Sequence, residues 1–153
     1  MTLPHGVYDK EIMADYSIFK SRKTVLTCNS EDFFNFTTDI RNFSRFVRDD
    51  YIREWEATTD TCRIRIPHIG EVHAGISEKI PYSLVRYSGS ALQNNEFHID
   101  AEISENKDGR AEIYLTVRAG LNPVLKMMAS GLIEKFLDSL VDEMENFRDW
   151  KVT

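Results

Sequence analysis

A surplus of positive charge is the first thing this sequence lacks. It carries 19 Lys and Arg against 25 Asp and Glu, a formal net charge of −6, whereas a surface that neutralises nucleic-acid phosphates needs basic side chains in excess on one face. The short run Lys20-Ser21-Arg22-Lys23 is read as the solvated face of a strand, so no nucleic-acid partner is expected. No stretch approaches the ~18 consecutive apolar residues of a membrane span. The N-terminus also has no basic segment leading into an apolar core. No membrane insertion is expected, and the protein is read as cytoplasmic. Cysteine is scarce too. Cys28 and Cys62 lie far apart and form no C-x-x-C, which points to two free thiols rather than a disulfide or a metal site.

Chemical motifs are equally absent. No Gly-rich phosphate loop, H-E-x-x-H or G-x-S-x-G occurs, so nucleotide, zinc-peptidase and serine-hydrolase chemistry have no foothold. His68 and His73 invite a metal reading, but one follows Pro67 in a turn and the other falls on an outward strand face. No suitably spaced cysteine or carboxylate completes a tetrahedral set. No metal and no cofactor are expected.

What is present is a globular chain of 153 residues, 42% hydrophobic, enough for one domain with a substantial core. Residues 1–15 contain Pro4 and Gly6 and show little periodicity, so they are read as an arm, with the domain spanning 16–150. Alternation from Tyr16 to Thr27 predicts a first strand. Asn29-Ser30-Glu31-Asp32 then opens a short helix with Ser30 as its cap and Phe33, Phe34 and Phe36 on its apolar side; Asp39 caps a second. Neither helix is long enough to stand alone, so the phenylalanines are expected to dock on the sheet or plug one end of it.

From Tyr51 to Ala119 the chain reads as about six strands separated by turn signals, with Asp108-Gly109 the clearest hairpin. Period two places Ile64, Ile66, Val72, Ala74, Ile76, Val85, Tyr87, Phe97, Ile99, Ala101, Ile103, Ile113, Leu115, Val117 and Ala119 on one face. Arg63, Arg65, His73, Arg86, His98, Asp100, Glu102 and Arg118 fall on the other. By parity Glu78 is the one carboxylate with a route inward. Such a sheet has a dry side that needs covering.

The cover comes last. Asn122-Pro123 opens an amphipathic helix expected to run to Trp150, with Leu125, Met128, Ala129, Leu132, Phe136, Leu140, Met144 and Phe147 on its stripe and Val124, Ile133, Leu137 and Val141 beside it. About 28 residues at ~1.5 Å each span on the order of 40 Å, enough to cross the sheet. A curved sheet closed over such a helix encloses an apolar space.

In this order of elements, and in the segments Asn29 to Phe34, Asp39 to Phe43 and Leu121-Asn122-Pro123 leading into Lys126 to Ala129, the chain resembles the START-like, or SRPBCC, superfamily from about Tyr16 to Trp150. Asn29-Ser30 stands where the family often has a small residue and proline. The resemblance implies an α+β helix-grip fold: a curved antiparallel sheet of about seven strands around a long C-terminal helix, with two short helices after the first strand. It also implies a cavity whose use differs among members, from lipid carriers to polyketide cyclases and chaperone cofactors.

The expected site is this space, lined by Trp55, Ile64, Ile66, Ile76, Tyr87, Phe97 and Ile99 from the sheet and by Met128, Gly131 and Leu132 from the helix, with Arg53 as a polar anchor. The adaptable methionines and the room at Gly131 suit an apolar ligand, so both are expected to be buried and Met128→Trp or Gly131→Phe to block uptake. No catalytic set is recognised. Three readings follow: a binder of a small hydrophobic molecule such as a lipid, isoprenoid or polyaromatic compound; a cyclase or dehydratase using Arg53, Tyr51 or Tyr87; or an interaction module with a filled core. Oligomeric state is not legible.

Overall fold

The computed structural model describes residues 16–46, 53–92 and 94–151; the expected arm and Tyr51 lie outside them, as does the side chain of Arg53. In chain order the elements are β1 (Tyr16–Lys20), β2 (Thr24–Val25), α1 (Ser30–Thr37), a 3-10 helix (Ile40–Arg45), β3 (Arg53–Ala57), β4 (Thr61–Ile66), β5 (Gly70–Ile80), β6 (Leu84–Ala91), β7 (Asn95–Glu105), β8 (Ala111–Gly120) and α2 (Pro123–Asn146). The strands form one antiparallel sheet in the order β1-β8-β7-β6-β5-β4-β3, with β2 also paired to β8.

Eight strands appear where about seven were expected because the first is broken. Ser21 leaves the ladder but still donates its N–H to the Leu115 carbonyl at 2.9 Å, while its Oγ accepts the Leu115 N–H at 2.9 Å. The break reverses parity. Ser17 and Phe19 are buried before it, and Thr24 and Leu26 after it, so odd positions face inward in β1 and even positions in β2.

Elsewhere the alternation holds. Tyr87 pairs with Ile76 and Ile99, and Ile99 with Val117, so a continuous apolar row crosses four strands. A bulge between Ile76 and Glu78 inserts Ser77 and turns Glu78 outward, where it accepts from Arg86 at 3.1 Å. The inward route expected for that carboxylate does not exist. Gly89 is required by packing, since a Cβ there would run into the His73 carbonyl on β5.

On the outer face Asp100 is only 3% exposed, because Arg86 and Arg118 from the flanking strands close over it at 2.7 and 2.9 Å. Burial pushes its carboxyl up, but the hydrogen bonds from the two guanidinium groups outweigh this and hold it below the usual carboxylate range. A depressed native value means stabilisation that is complete above the unfolded pKa and lost as pH falls through the native one. Asp100→Asn is therefore expected to cost about 1–3 kcal/mol near neutrality, discounted because both arginines keep solvent contact. The gap to the parent protein should shrink below about pH 4. Urea unfolding across that range checks both; a gap unchanged down to pH 2 contradicts the assignment.

Asn29, not Ser30, caps α1: its side chain accepts the Asp32 N–H at 2.8 Å, and Ser30, one residue into the helix, donates to Glu105 at 2.6 Å. Asp39 caps the 3-10 helix as expected. The two short helices plug one end of the sheet. Phe33, Phe36 and Phe46 gather there around Trp150, with centroids at 5.5, 5.0 and 5.4 Å.

α2 departs from expectation in length and in rotation. It ends at Asn146, Phe147 being extended, and the chain turns so that Trp150 enters the plug and donates Nε1–H to the Phe147 carbonyl at 3.1 Å. Its buried side joins Ala129, Leu140 and Met144 from the predicted stripe to Leu137 and Val141 from the flanking row, so the helix is turned part of the way toward that row. Val124 (66% exposed), Met127 (84%) and Met128 (59%) face away. The first half of the helix is apolar on both sides and fixes no rotation. The second half, with Asp138 and Asp142 opposite the buried Leu140 and Met144, does.

Candidate functional site

α2 makes its closest approaches to β1, β2 and β8, at one edge of the sheet. Towards β4 to β7 the strands curve away from it, and the gap is a cavity of about 200 Å3. An engineered cavity of about 150 Å3 with apolar walls stays dry and accepts benzene, so this space is the size of one or two rings.

Its wall is built by the alternation that makes the sheet. Ile64 and Ile66 come from β4, Tyr87 from β6, Phe97 and Ile99 from β7, and Trp55 from β3, as the sequence predicts. The helix supplies Ala129, Ile133, Phe136, Leu140 and Met144. Met128, Gly131 and Leu132 are not in the wall: Met128 and Gly131 are exposed, and Leu132 is half-buried. Ile76 is half-buried against the core but also lies outside the wall. The expected anchor Arg53 falls outside the described side chains.

Sequence reasoning passed over Phe33, Ile40 and Phe43, which close the plugged end. Their signal was present in the phenylalanine-rich short helices, but which ring meets the space depends on where the 3-10 helix stops. The opposite end is bounded by Ile69, Leu92, Asn95, Glu96 and Leu121, all at strand ends or in turns. Polarity is concentrated there.

Deeper in, the wall offers two titratable groups, and neither is poised for chemistry. Tyr87 donates its hydroxyl to the Thr37 carbonyl at 2.7 Å, and burial pushes its pKa up. Burial also pushes the Cys62 thiol up, away from the thiolate a nucleophile requires. Cys28, outside the wall, is raised to about 12, again chiefly by burial and then by the nearby Asp32 carboxylate. Among the described residues, no three His, Cys, Asp or Glu side chains converge on a metal-sized point. Among the described residues, no helix is long and apolar enough to cross a membrane.

No family model matches the chain, and no curated protein matches it in sequence. Solved structures do match its fold. Norcoclaurine synthase from Thalictrum flavum superposes with a TM-score of 0.65 at 8% identity, covering 85% of this chain and 91% of that one. XoxI from Bacillus cereus gives 0.64 at 12% identity, covering 87% and 96%. The Mll3558 protein from Rhizobium loti gives 0.58 at 14% identity, covering 84% and 96%. At these identities the match shows a shared fold, and that fold is the helix grip expected from the resemblance.

Proposed function

We propose that this chain binds a small apolar molecule in the cavity between its sheet and α2, without covalent chemistry. The observation that carries the reading is a space of about 200 Å3 whose deep wall is hydrocarbon and aromatic rings. Burying ~300 Å2 of apolar ligand surface there gains on the order of 7 kcal/mol before the entropic costs of association, which limits affinity to micromolar at best. The volume favours a molecule of one or two rings or a short isoprenoid over a long lipid. A structure of norcoclaurine synthase from Thalictrum flavum holds dopamine and hydroxybenzaldehyde, so this fold is compatible with guests of that size.

A cyclase or dehydratase is less well supported, since Tyr87 has its hydroxyl committed to the Thr37 carbonyl. A module with a filled core is disfavoured by the cavity itself, which exceeds the room of a few waters. Native mass spectrometry of protein purified from its own host tests the proposal, together with titration of an environment-sensitive apolar dye. A retained small-molecule mass, or saturable dye binding near one equivalent, is the expected result. Unliganded protein that also fails to bind the dye would overturn it.

A further inference from the structure

The outward side of α2 changes character along its length. Taking steps of four and three, one line of the helix runs Val124, Met128, Gly131, Lys135, Asp138, Asp142, Glu145, with Met127 beside its first half. The second half of the line is clasped by the sheet edge. Arg22, in the break between β1 and β2, donates to Asp142 at 2.7 Å and to Glu145 at 3.0 Å, and Thr24 donates to Glu145 at 2.5 Å. These bonds, Arg22 first and Thr24 second, hold the Glu145 carboxyl down at about 2. The first half of the line has no such cover among the described residues and presents Val124, Met127 and Met128 to water.

Direction decides what lies next to that uncovered half. Tyr16 pairs with Gly120, and Thr24 with Ile113. Asn122, two residues beyond Gly120, caps α2. β1 and α2 therefore start at the same end of the molecule and run the same way, with the line that meets Arg22 and Thr24 at its far end uncovered at its near end. Tyr16, the first described residue, thus lies at the end of the molecule where α2 begins, its partner Gly120 four residues before Val124.

We propose that residues 1–15 dock on the exposed apolar row of Val124, Met127 and Met128. The segment contains Leu3, Val7, Tyr8, Ile12 and Met13 to place against it. Reach is ample: Val124 to Met128 rises only about 6 Å along the helix, whereas four extended residues cover roughly 13 Å. Charge agrees as well. α1 has Glu31 and Asp32 in its first turn, but α2 has no acidic residue in its own. Asp9, Glu11 and Asp15 supply negative charge near that positive helix end and near Lys126. This docking is independent of whether the cavity is occupied.

The test uses the full chain, isotope-labelled, with Met127→Cys carrying a nitroxide; Cys28 and Cys62 have raised thiol pKa values and compete poorly for the label. The expected result is loss of the amide signals of residues 3–13, and their recovery when Val124→Asp and Met128→Asp are added to the same labelled chain. Tethering alone would leave the two chains alike, so equal broadening in both overturns the proposal. An equimolar mixture of isotope-labelled native chain and unlabelled nitroxide chain identifies a second copy as the occupant if broadening appears there, and that too overturns it. Native amide signals of residues 3–13 that stay sharp beside the nitroxide, with the label instead attenuated by added phosphatidylcholine vesicles, would assign the row to a lipid surface and likewise reject the arm.

Discussion

Ala129→Phe is expected to lower the affinity for an apolar dye at least tenfold while leaving a folded protein. Ala129 is 2% exposed and lies in the cavity wall on the face of α2 turned to the sheet. A phenyl ring there projects into the space the ligand is to occupy. Overpacking a well-filled core costs about 1–3 kcal/mol, but a side chain growing into an empty volume avoids much of that strain. Ala119→Phe makes the same test from the opposite wall, since Ala119 is 6% exposed on β8 and also lines the cavity. Met128→Trp and Gly131→Phe become the controls. Both positions are exposed on the outer side of the helix, and a Cβ at Gly131 meets nothing within 4 Å. Dye titration and thermal unfolding of the four variants give the answer: two lose binding and two retain it. Undiminished binding in both alanine variants would place the guest elsewhere.

Trp150→Ala carries the largest expected cost in stability, about 3–5 kcal/mol by the usual scale for buried aromatic truncation. The residue is 1% exposed although it lies beyond the last helix. Its ring meets Phe147 edge-on at 4.8 Å and Phe36 at 5.0 Å, with Phe33 and Phe46 completing the cluster. Removing it leaves a hole where α1, the turn after the 3-10 helix and the end of α2 lose a common partner. A domain of this size with such a loss is expected to unfold at a markedly lower denaturant midpoint with an unchanged slope. Trp150→Phe should recover a large part of the difference. A drop under 1 kcal/mol would show that the tail is not integral to the core.

Much of the fold was legible because it rests on period two. The row of Ile76, Tyr87, Ile99 and Val117 follows from alternation alone, and in β4 to β8 parity fails only past Ile76, where the bulge at Ser77 turns Glu78 outward. Three things escaped. The reversal at Ser21 to Lys23 leaves no mark in composition, since the residues of the break are ordinary strand-face polar residues. The helix end at Asn146 is decided by the cluster that Trp150 joins, a tertiary reward that outweighs good helix formers in the tail. The first half of α2 was misread because methionines near a glycine suggested a soft binding patch, while the second half, with Leu140 and Met144 opposite Asp138 and Asp142, was placed correctly. For the cavity, the sheet side was legible and the helix side was not, the first depending on local alternation and the second on how α2 lies across strands far away in sequence.

The two ends of α2 are not held alike. At Phe147 and Trp150 the rod is clasped by stacked rings, and just before them by Arg22. At its start, among the described residues, the side-chain hydrogen bond that holds it is the Asn122 cap on the Leu125 N–H at 2.8 Å. Prising the rod from the strands is therefore cheapest at its beginning, with the aromatic knot acting as a pivot. If the cavity takes the proposed guest, entry is expected beside Leu121 and Leu92, at a width governed by how firmly that first turn is tied down.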